Sequence, residues 1–311
     1  MEMVYRYDKP IAYYVSTTAQ EVNYLRQTYG FPIFTAVVET IRAMEMSYRH
    51  YSRLQEIRSA EQTPTYEVDR KAVRKIINHA QSEQRDLLLS ESMQVLGHYG
   101  IPTAAGVTAA TMQEARAAAE QMGYPVAIKV ISEQISHKSD VGGVQLNLRN
   151  GPAVEEAFED MLLRIHQFYP EVKIDGVLVQ PMVTGGQELI LGGRQDPNFG
   201  PVVLIGLGGI FVEVFEEVAL RVAPITHLEA FEMIDELRGA PILKGARGHK
   251  PSDIGAVVEA LLRLSQLLID FPEIRELDIN PLRVFQENNG CRALDARIMI
   301  QPSNDTQPPV P

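Results

Sequence analysis

The chain has 311 residues, 45% of them hydrophobic and 22% charged, with a formal net charge of −11. That balance belongs to a globular protein of about two or three domains, and the acidic excess argues against non-specific nucleic-acid binding. A single cysteine, Cys291, rules out an intrachain disulfide and a thiolate metal cluster and fits a reducing, cytoplasmic compartment. The opening MEMVYRYDKP does not read as a signal peptide, and no apolar run approaches the roughly 20 residues of a membrane span.

In chain order, residues 9–53 read as strand, helix, strand, helix. IAYYVS (11–16) is β-like, 19–29 is helical and stops at Gly30, 31–34 is a short strand, and 36–51 is helical again. Such alternation points to a parallel α/β unit, too short to be a doubly wound sheet alone. A polar linker follows from Ser59 to about Asp69, then a helical region over 69–99, broken near Asp86 and closed by Gly100 and Pro102.

Beyond Ile101 the pattern is α+β. Helices are expected at 111–122, 152–168, 227–237 and 252–270, the first with Thr111 and Glu114 as a capping box. Strands are expected at 124–130, 144–148, 177–182, 188–192, 202–205 and 211–214. Residues 282–285 and 291–298 are expected as a hairpin turning at Asn288, Asn289 and Gly290. The last segment, 301–311, is Pro-rich and polar and reads as a disordered tail.

Four stretches carry chemistry. Residues 192–224 join Arg194, an apolar strand, the pair Gly208–Gly209, Glu213 and Arg221. Glycine admits a bulky anion, arginine neutralises it, and a carboxylate nearby holds a divalent cation. In PVAIK (125–129), Lys129 sits in a strand of apolar residues. It is either a cation aimed at phosphate or a strand-end lysine whose head reaches water. SHKSDVGG (136–143) places His137 beside Lys138 in a polar loop ending in a glycine pair. Neutral imidazole is a competent nucleophile toward phosphoryl groups near pH 7; a solvated surface histidine is the plainer alternative. In ELDINP (276–281), strand alternation sets Glu276, Asp278 and Asn280 on one face, with Asp295 expected on the partner strand. Such oxygen ligands suit Mg²⁺.

Together with GIPTAAG, GVLVQPMV, GGQELILGG and LKGARG, these motifs resemble the ATP-grasp domain of NDP-forming acyl-CoA synthetases, the group of ADP-forming acetate–CoA ligase and succinyl-CoA synthetase. The resemblance runs from about Leu88 to Ile298 and implies two α+β lobes around a nucleotide. By resemblance, Lys129 meets the nucleotide phosphates. Gln180, Pro181 and Met182 meet the adenine, and Glu188 meets the ribose or an associated water. Gly208 and Gly209 lie against the nucleotide, Asn280, Asp295 and Glu213 serve Mg²⁺, and Arg194 and Arg221 stabilise phosphate charge. His137 then carries a phosphoryl group from ATP toward a distant acyl-CoA site.

Domain by domain, 1–58 resembles the C-terminal remnant of a succinyl-CoA-ligase-like α/β domain, 59–82 a linker and helix, and 83–300 the ATP-grasp domain. The family's CoA-binding domain and its second histidine-bearing domain are missing from this sequence. The implied partner is therefore a CoA-binding ligase domain or subunit in a hetero- or homo-oligomer, with CoA as a substrate through that missing part. Two other functions stay open: a non-catalytic ATP/ADP-sensing module, and a stand-alone ATP-grasp carboxylate ligase, which needs no histidine relay.

Overall fold

A computed structural model describes residues 11–30, 32–58, 63–135, 138–209, 218–246 and 250–301. The chain divides into two units, residues 1–62 and 63–311.

In the first unit, β1 (Tyr13–Tyr14) and β2 (Ile33–Phe34) pair in parallel, with Tyr13 opposite Ile33. Helix α1 (Ala19–Tyr29) lies between them in sequence, and α2 (Val37–Arg58) follows. Thr18 and Glu21 form a capping box at the start of α1, which ends at Gly30 in the left-handed region. The Arg26 guanidinium donates twice to the Ile33 carbonyl, at 3.0 and 2.8 Å, fixing helix to strand. The strand–helix alternation and the parallel pairing agree with the sequence reading; α2 runs past the expected Tyr51.

The second unit is α+β throughout. Residues 63–69 hold no regular element but are anchored, because the Gln266 amide brackets the Tyr66 backbone at 2.8 and 3.0 Å. Helices α3 (Arg70–Ser82) and α4 (Leu89–His98) follow. The break expected near Asp86 is there, and Asp86 accepts a hydrogen bond from the Ile300 amide at 2.9 Å.

One lobe of this unit is an antiparallel sheet in the order β3 (Val107–Ala109), β6 (Gly176–Pro181), β4 (Val126–Ile131), β5 (Val144–Leu148). Helices α5 (Met112–Met122) and α6 (Gly151–Phe168) cover it around a core of Ala115, Ala119, Val154, Phe158, Met161 and the inward residues of β4 and β6. Thr111 caps α5 as expected, but the Glu114 carboxylate reaches back to the Ala110 amide at 2.8 Å, one residue before the reciprocal position.

The other lobe is a six-stranded sheet. β9 (Val218–Val222), β8 (Gly200–Leu207), β7 (Gln187–Asp196) and β10 (Ile274–Val284) lie side by side, and β10 pairs on its other edge with both β11 (Cys291–Ala293) and β12 (Ala296–Ile300). Helices α7 (His227–Glu236), α8 (Ala240–Leu243) and α9 (Ile254–Asp270) complete the lobe. Leu261, Leu264, Leu267 and Leu268 of α9 are wholly buried, each contributing about 1.5–3 kcal/mol. The helix lies so near the sheet that a Cβ on Gly193 would stand 2.2 Å from the Leu268 Cδ1.

The hairpin expected around Asn288–Gly290 forms, with Val284 opposite Cys291 and positive φ at Asn288 and Gly290. Two corrections arise beside it. Residues 291–298 are not one strand, because the chain leaves the ladder at Leu294 and Asp295. Asp295 therefore stands in the gap between β11 and β12. The strand on the other side is longer than expected and takes in the whole of ELDINPL. The strands β3 and β9 and the short helix α8 had no counterpart in the sequence reading. The strand expected at 211–214 lies outside the described residues.

Candidate functional site

The site begins with a proline inside a strand. Pro281 has no amide hydrogen to give to a ladder, so a strand carrying it bulges. Opposite β7, the pairing of β10 steps from Ile279 with Leu191 to Leu282 with Leu189, three residues against two. The bulge inverts the alternation: Leu277 and Ile279 are buried before it, Leu282 and Val284 after it. Asn280 and Arg283, of opposite parity, thus come to one face. The gap at Leu294–Asp295 stands across from the same bulge, with the Asn280 amide donating to the Asp295 carbonyl at 3.2 Å.

These residues line a cavity of about 450 Å³ that draws on both lobes of the second unit. The four-stranded sheet contributes Lys129, Val144, Leu146, Gln180, Pro181 and Met182; the six-stranded sheet contributes Glu188, Asn280, Arg283, Asp295 and, just beyond β8, Gly209. One part is apolar, the other densely charged.

Lys129 is 7% exposed, on a strand whose six residues are all buried. Its Nζ donates to the Leu294 carbonyl at 2.5 Å and lies 3.7 Å from the Asp295 carboxylate. Burial lowers its pKa, Asp295 opposes that, and the nearby Lys138 ammonium lowers it further. Lys138 reaches the other Asp295 oxygen at 2.9 Å. Two ammonium groups thus converge on one carboxylate, in a chain whose net charge is −11. On the opposite side of the cavity, Arg283 donates to Glu188 at 2.6 Å across the ladder.

Gly208 and Gly209 both pack against Glu188, the first on its backbone and the second on its carboxylate. The Gly208 amide donates to the Glu188 carbonyl at 2.8 Å. Gly209, at φ +64°, leaves the space of the Glu188 carboxylate, which a Cβ there would approach to 2.7 Å. Gly209 borders the cavity; Gly208 packs behind it. Gln180 is buried, with its amide 3.5 Å from the Ala104 carbonyl.

Arg194 and Arg221 stand elsewhere, contrary to their expected place beside phosphate. Arg194 is six residues along β7 from Glu188, roughly 20 Å at strand rise, exposed and 3.3 Å from Asp196. Arg221 is held by Glu236 at 2.5 Å and Glu232 at 3.5 Å. Both guanidiniums have carboxylate partners, and neither borders the cavity. Glu213 and His137 lie outside the described residues. Of the three acidic-stretch residues expected on one face, only Asn280 borders the cavity. The sequence reading passed over Arg283; the signal that could have found it is the strand proline, which reverses which residues face out.

Asp278 lies on the same face of β10 as Asn280, close to Asp295, but does not border the cavity. Burial first, then the charges of Asp295 and Glu276, raise its pKa to about 6. The folded protein therefore binds a proton there more tightly than the unfolded chain does. In metal-free buffer this residue's unfavourable contribution is absent below about pH 4 and fully present above about pH 6. Asp278→Asn is expected to raise stability at pH 8 by at most about 3 kcal/mol, with no gain at pH 4. Urea melts at the two pH values test this, and an equal gain at both would refute it.

The ATP-grasp domain family matches residues 78–300. The chain belongs to the ATP-grasp family. Within it, the chain falls with the ADP-forming acetate–CoA ligases. It is 42% identical to the β subunit of ADP-forming acetate–CoA ligase I of Pyrococcus furiosus, over 73% of this chain and 97% of that subunit. It is 40% identical to ADP-forming acetate–CoA ligase I of Archaeoglobus fulgidus, over 91% of this chain but 41% of that enzyme, so it spans about two fifths of that longer relative. Among solved structures, it is similar to acetyl-coenzyme A synthetase 1 of Ca. Korarchaeum cryptofilum in complex with coenzyme A and Ca-AMPCP, with a TM-score of 0.71 and 38% identity over 73% of this chain and 99% of that one. A second structure of that synthetase, with Mg-AMPPCP, has a phosphohistidine segment pointing towards its nucleotide binding site; it covers 74% of this ATP-grasp chain and 100% of its own, at 36% identity and a TM-score of 0.64. The two α+β lobes seen here are the ATP-grasp fold. No described helix is long and apolar enough to cross a membrane.

The donor set at the bulge fits a hard divalent cation. Asn280 and Asp295 offer oxygen atoms side by side, and such a cation takes few protein ligands when phosphate oxygens complete its shell. Among the described residues no three His, Cys, Asp or Glu side chains group as a metal site. Cys291 is no alternative, since burial pushes its thiol up to about 12.

Proposed function

We propose that this chain is the nucleotide-binding, phosphoryl-transferring part of an ADP-forming acyl-CoA synthetase, for the net reaction acid + CoA + ATP ⇌ acyl-CoA + ADP + phosphate. The observation that carries the reading is the cavity between the two lobes, where Lys129 and Lys138 converge on Asp295 beside an apolar wall. Phosphate belongs at the ammonium groups and a purine against Met182, Pro181 and Leu146, with Gln180 at the hinge. Glu188 takes the ribose hydroxyls. Asn280 and Asp295 hold Mg²⁺, with Glu213 as a further ligand; the ion supplies positive charge shared among the phosphate oxygens.

In the chemical step, the His137 imidazole attacks the γ-phosphorus. A P–N bond forms, the P–O bond to the β-phosphate breaks, and ADP leaves with the electron pair. The P–N bond of the phosphohistidine then breaks as its phosphoryl group passes to the carboxylate oxygen of the acid. The CoA thiol, losing its proton, attacks the acyl carbon and displaces phosphate. The relay splits one difficult transfer into easier ones. Lys129 stays protonated beside the phosphates and offsets their charge without moving.

The acyl and CoA sites belong to a partner domain or subunit, as the two-fifths coverage of the Archaeoglobus enzyme suggests. Residues 1–58, with their parallel pair and flanking helices, are proposed as the C-terminal remnant of the ligase domain, joined by residues 59–82 to the ATP-grasp domain at 83–300. The single cysteine fits a cytoplasmic site of action.

The test is incubation of the purified chain with γ-labelled ATP and Mg²⁺. Acid-labile, base-stable label on the protein is expected, mapping to His137. Bound ATP without label, even after a CoA-binding subunit is added, would favour the nucleotide-sensing function instead.

A further inference from the structure

We propose that Arg283 is a positioning residue of the nucleotide site, holding the Glu188 carboxylate toward the ribose; this rests on the cavity's assignment to a nucleotide. Four observations support it. Arg283 and Glu188 stand directly opposite on β10 and β7. Their contact of 2.6 Å joins side chains only 20% and 30% exposed. The other terminal nitrogen of the same guanidinium lies 3.4 Å from the Gly186 carbonyl, in the turn that connects β6 of one lobe to β7 of the other. Finally, the Arg283 Nε is buried without a hydrogen-bond partner, so the guanidinium is held in place at some cost.

The fork therefore spans two things that a nucleotide must find in register. One is the connecting turn, which continues from the hinge residues Pro181 and Met182. The other is the Glu188 carboxylate, whose second oxygen lies over Gly209. Without the guanidinium, Glu188 would swing on its own side-chain torsions and lose ordering entropy on binding. A lysine would restore the charge but not the fork, because an ammonium is a point donor on a flexible stem. Arg283 does not reach the phosphates at Lys129 in this scheme, so its influence is confined to the sugar end of the ligand.

Calorimetric titration of the full chain with ATP and with 2′-deoxy-ATP and 3′-deoxy-ATP separates this role from a merely structural one. The unmodified chain is expected to prefer ATP over at least one deoxy analogue by about tenfold, the worth of a hydrogen bond to a charged group. Arg283→Met is expected to lose most of that preference, and Arg283→Lys to recover only part of it. Glu188→Gln should lose it too, and the double variant should lose no more than either single one. The melting temperature without nucleotide guards against misfolding, and the preference is a ratio that general damage does not move. A preference left intact by Arg283→Met would overturn the proposal while leaving the cavity's assignment standing. Failure of the unmodified chain to bind any of the three nucleotides would overturn both.

Discussion

Replacing His137 with alanine is expected to leave ATP binding within about twofold and to remove phosphoryl transfer, by on the order of a thousandfold or more. The two halves of that expectation have different physical origins. Binding draws on Lys129, the apolar wall and the hinge, none of which depends on an imidazole. Transfer requires a nucleophile whose lone pair is free near neutral pH and whose phosphorylated form remains reactive, and histidine meets both conditions. The neighbouring Lys138 stays in the variant and keeps its 2.9 Å contact with Asp295, so the cation balance around the carboxylate is unchanged. Equilibrium dialysis with ATP and label transfer from γ-labelled ATP, run on the same preparation, read the two halves separately. Normal acyl-CoA formation by the variant, with a CoA-binding partner present, would end the relay.

The sequence made the fold legible where its signals were local. Thr111 with Glu114 marks a helix start through a hydrogen bond made within three residues, and Asn288 and Gly290 mark the hairpin through backbone torsion. The gap at Leu294 and Asp295 was not legible, because it answers a proline fourteen residues away on another strand. That proline also decided which side chains face the cavity beyond it, and alternation counted without the bulge carries the face from Asn280 to Leu282 and misses Arg283. The arginines failed for a related reason. Arg194 and Arg221 lie in a stretch rich in anion-site residues, but proximity in sequence along two strands of this length still leaves them roughly 20 Å from Glu188. Their acidic partners, Asp196, Glu232 and Glu236, are what a sequence reader would have to pair with them first. Lys129 stood out because lysine is rare in a buried strand, but the strand alone left a lysine reaching water still open; its partners Leu294 and Asp295 lie far along the chain.

Lys129→Met is expected to weaken ATP binding by about tenfold to a hundredfold, the loss of a charge-assisted hydrogen bond to phosphate, with little effect on folding. Methionine fills nearly the volume of the lysine stem and carries no charge to desolvate. Asp295 keeps Lys138 as a partner, so no carboxylate is stranded. The pH dependence makes the prediction specific. Burial holds the Lys129 pKa below the ordinary lysine value of 10.5 in the ligand-free protein, whereas a phosphate beside the ammonium favours the charged form and raises it. ATP binding is therefore linked to proton uptake, and affinity falls as pH rises through the lowered pKa. The same shift makes the ligand-free fold gain stability as pH rises through that window, since there the unfolded chain binds the extra proton. Methionine removes both slopes. Calorimetry in two buffers of different ionisation enthalpy measures the proton uptake directly; an uptake unchanged in Lys129→Met would assign it to another group and place the phosphates away from Lys129.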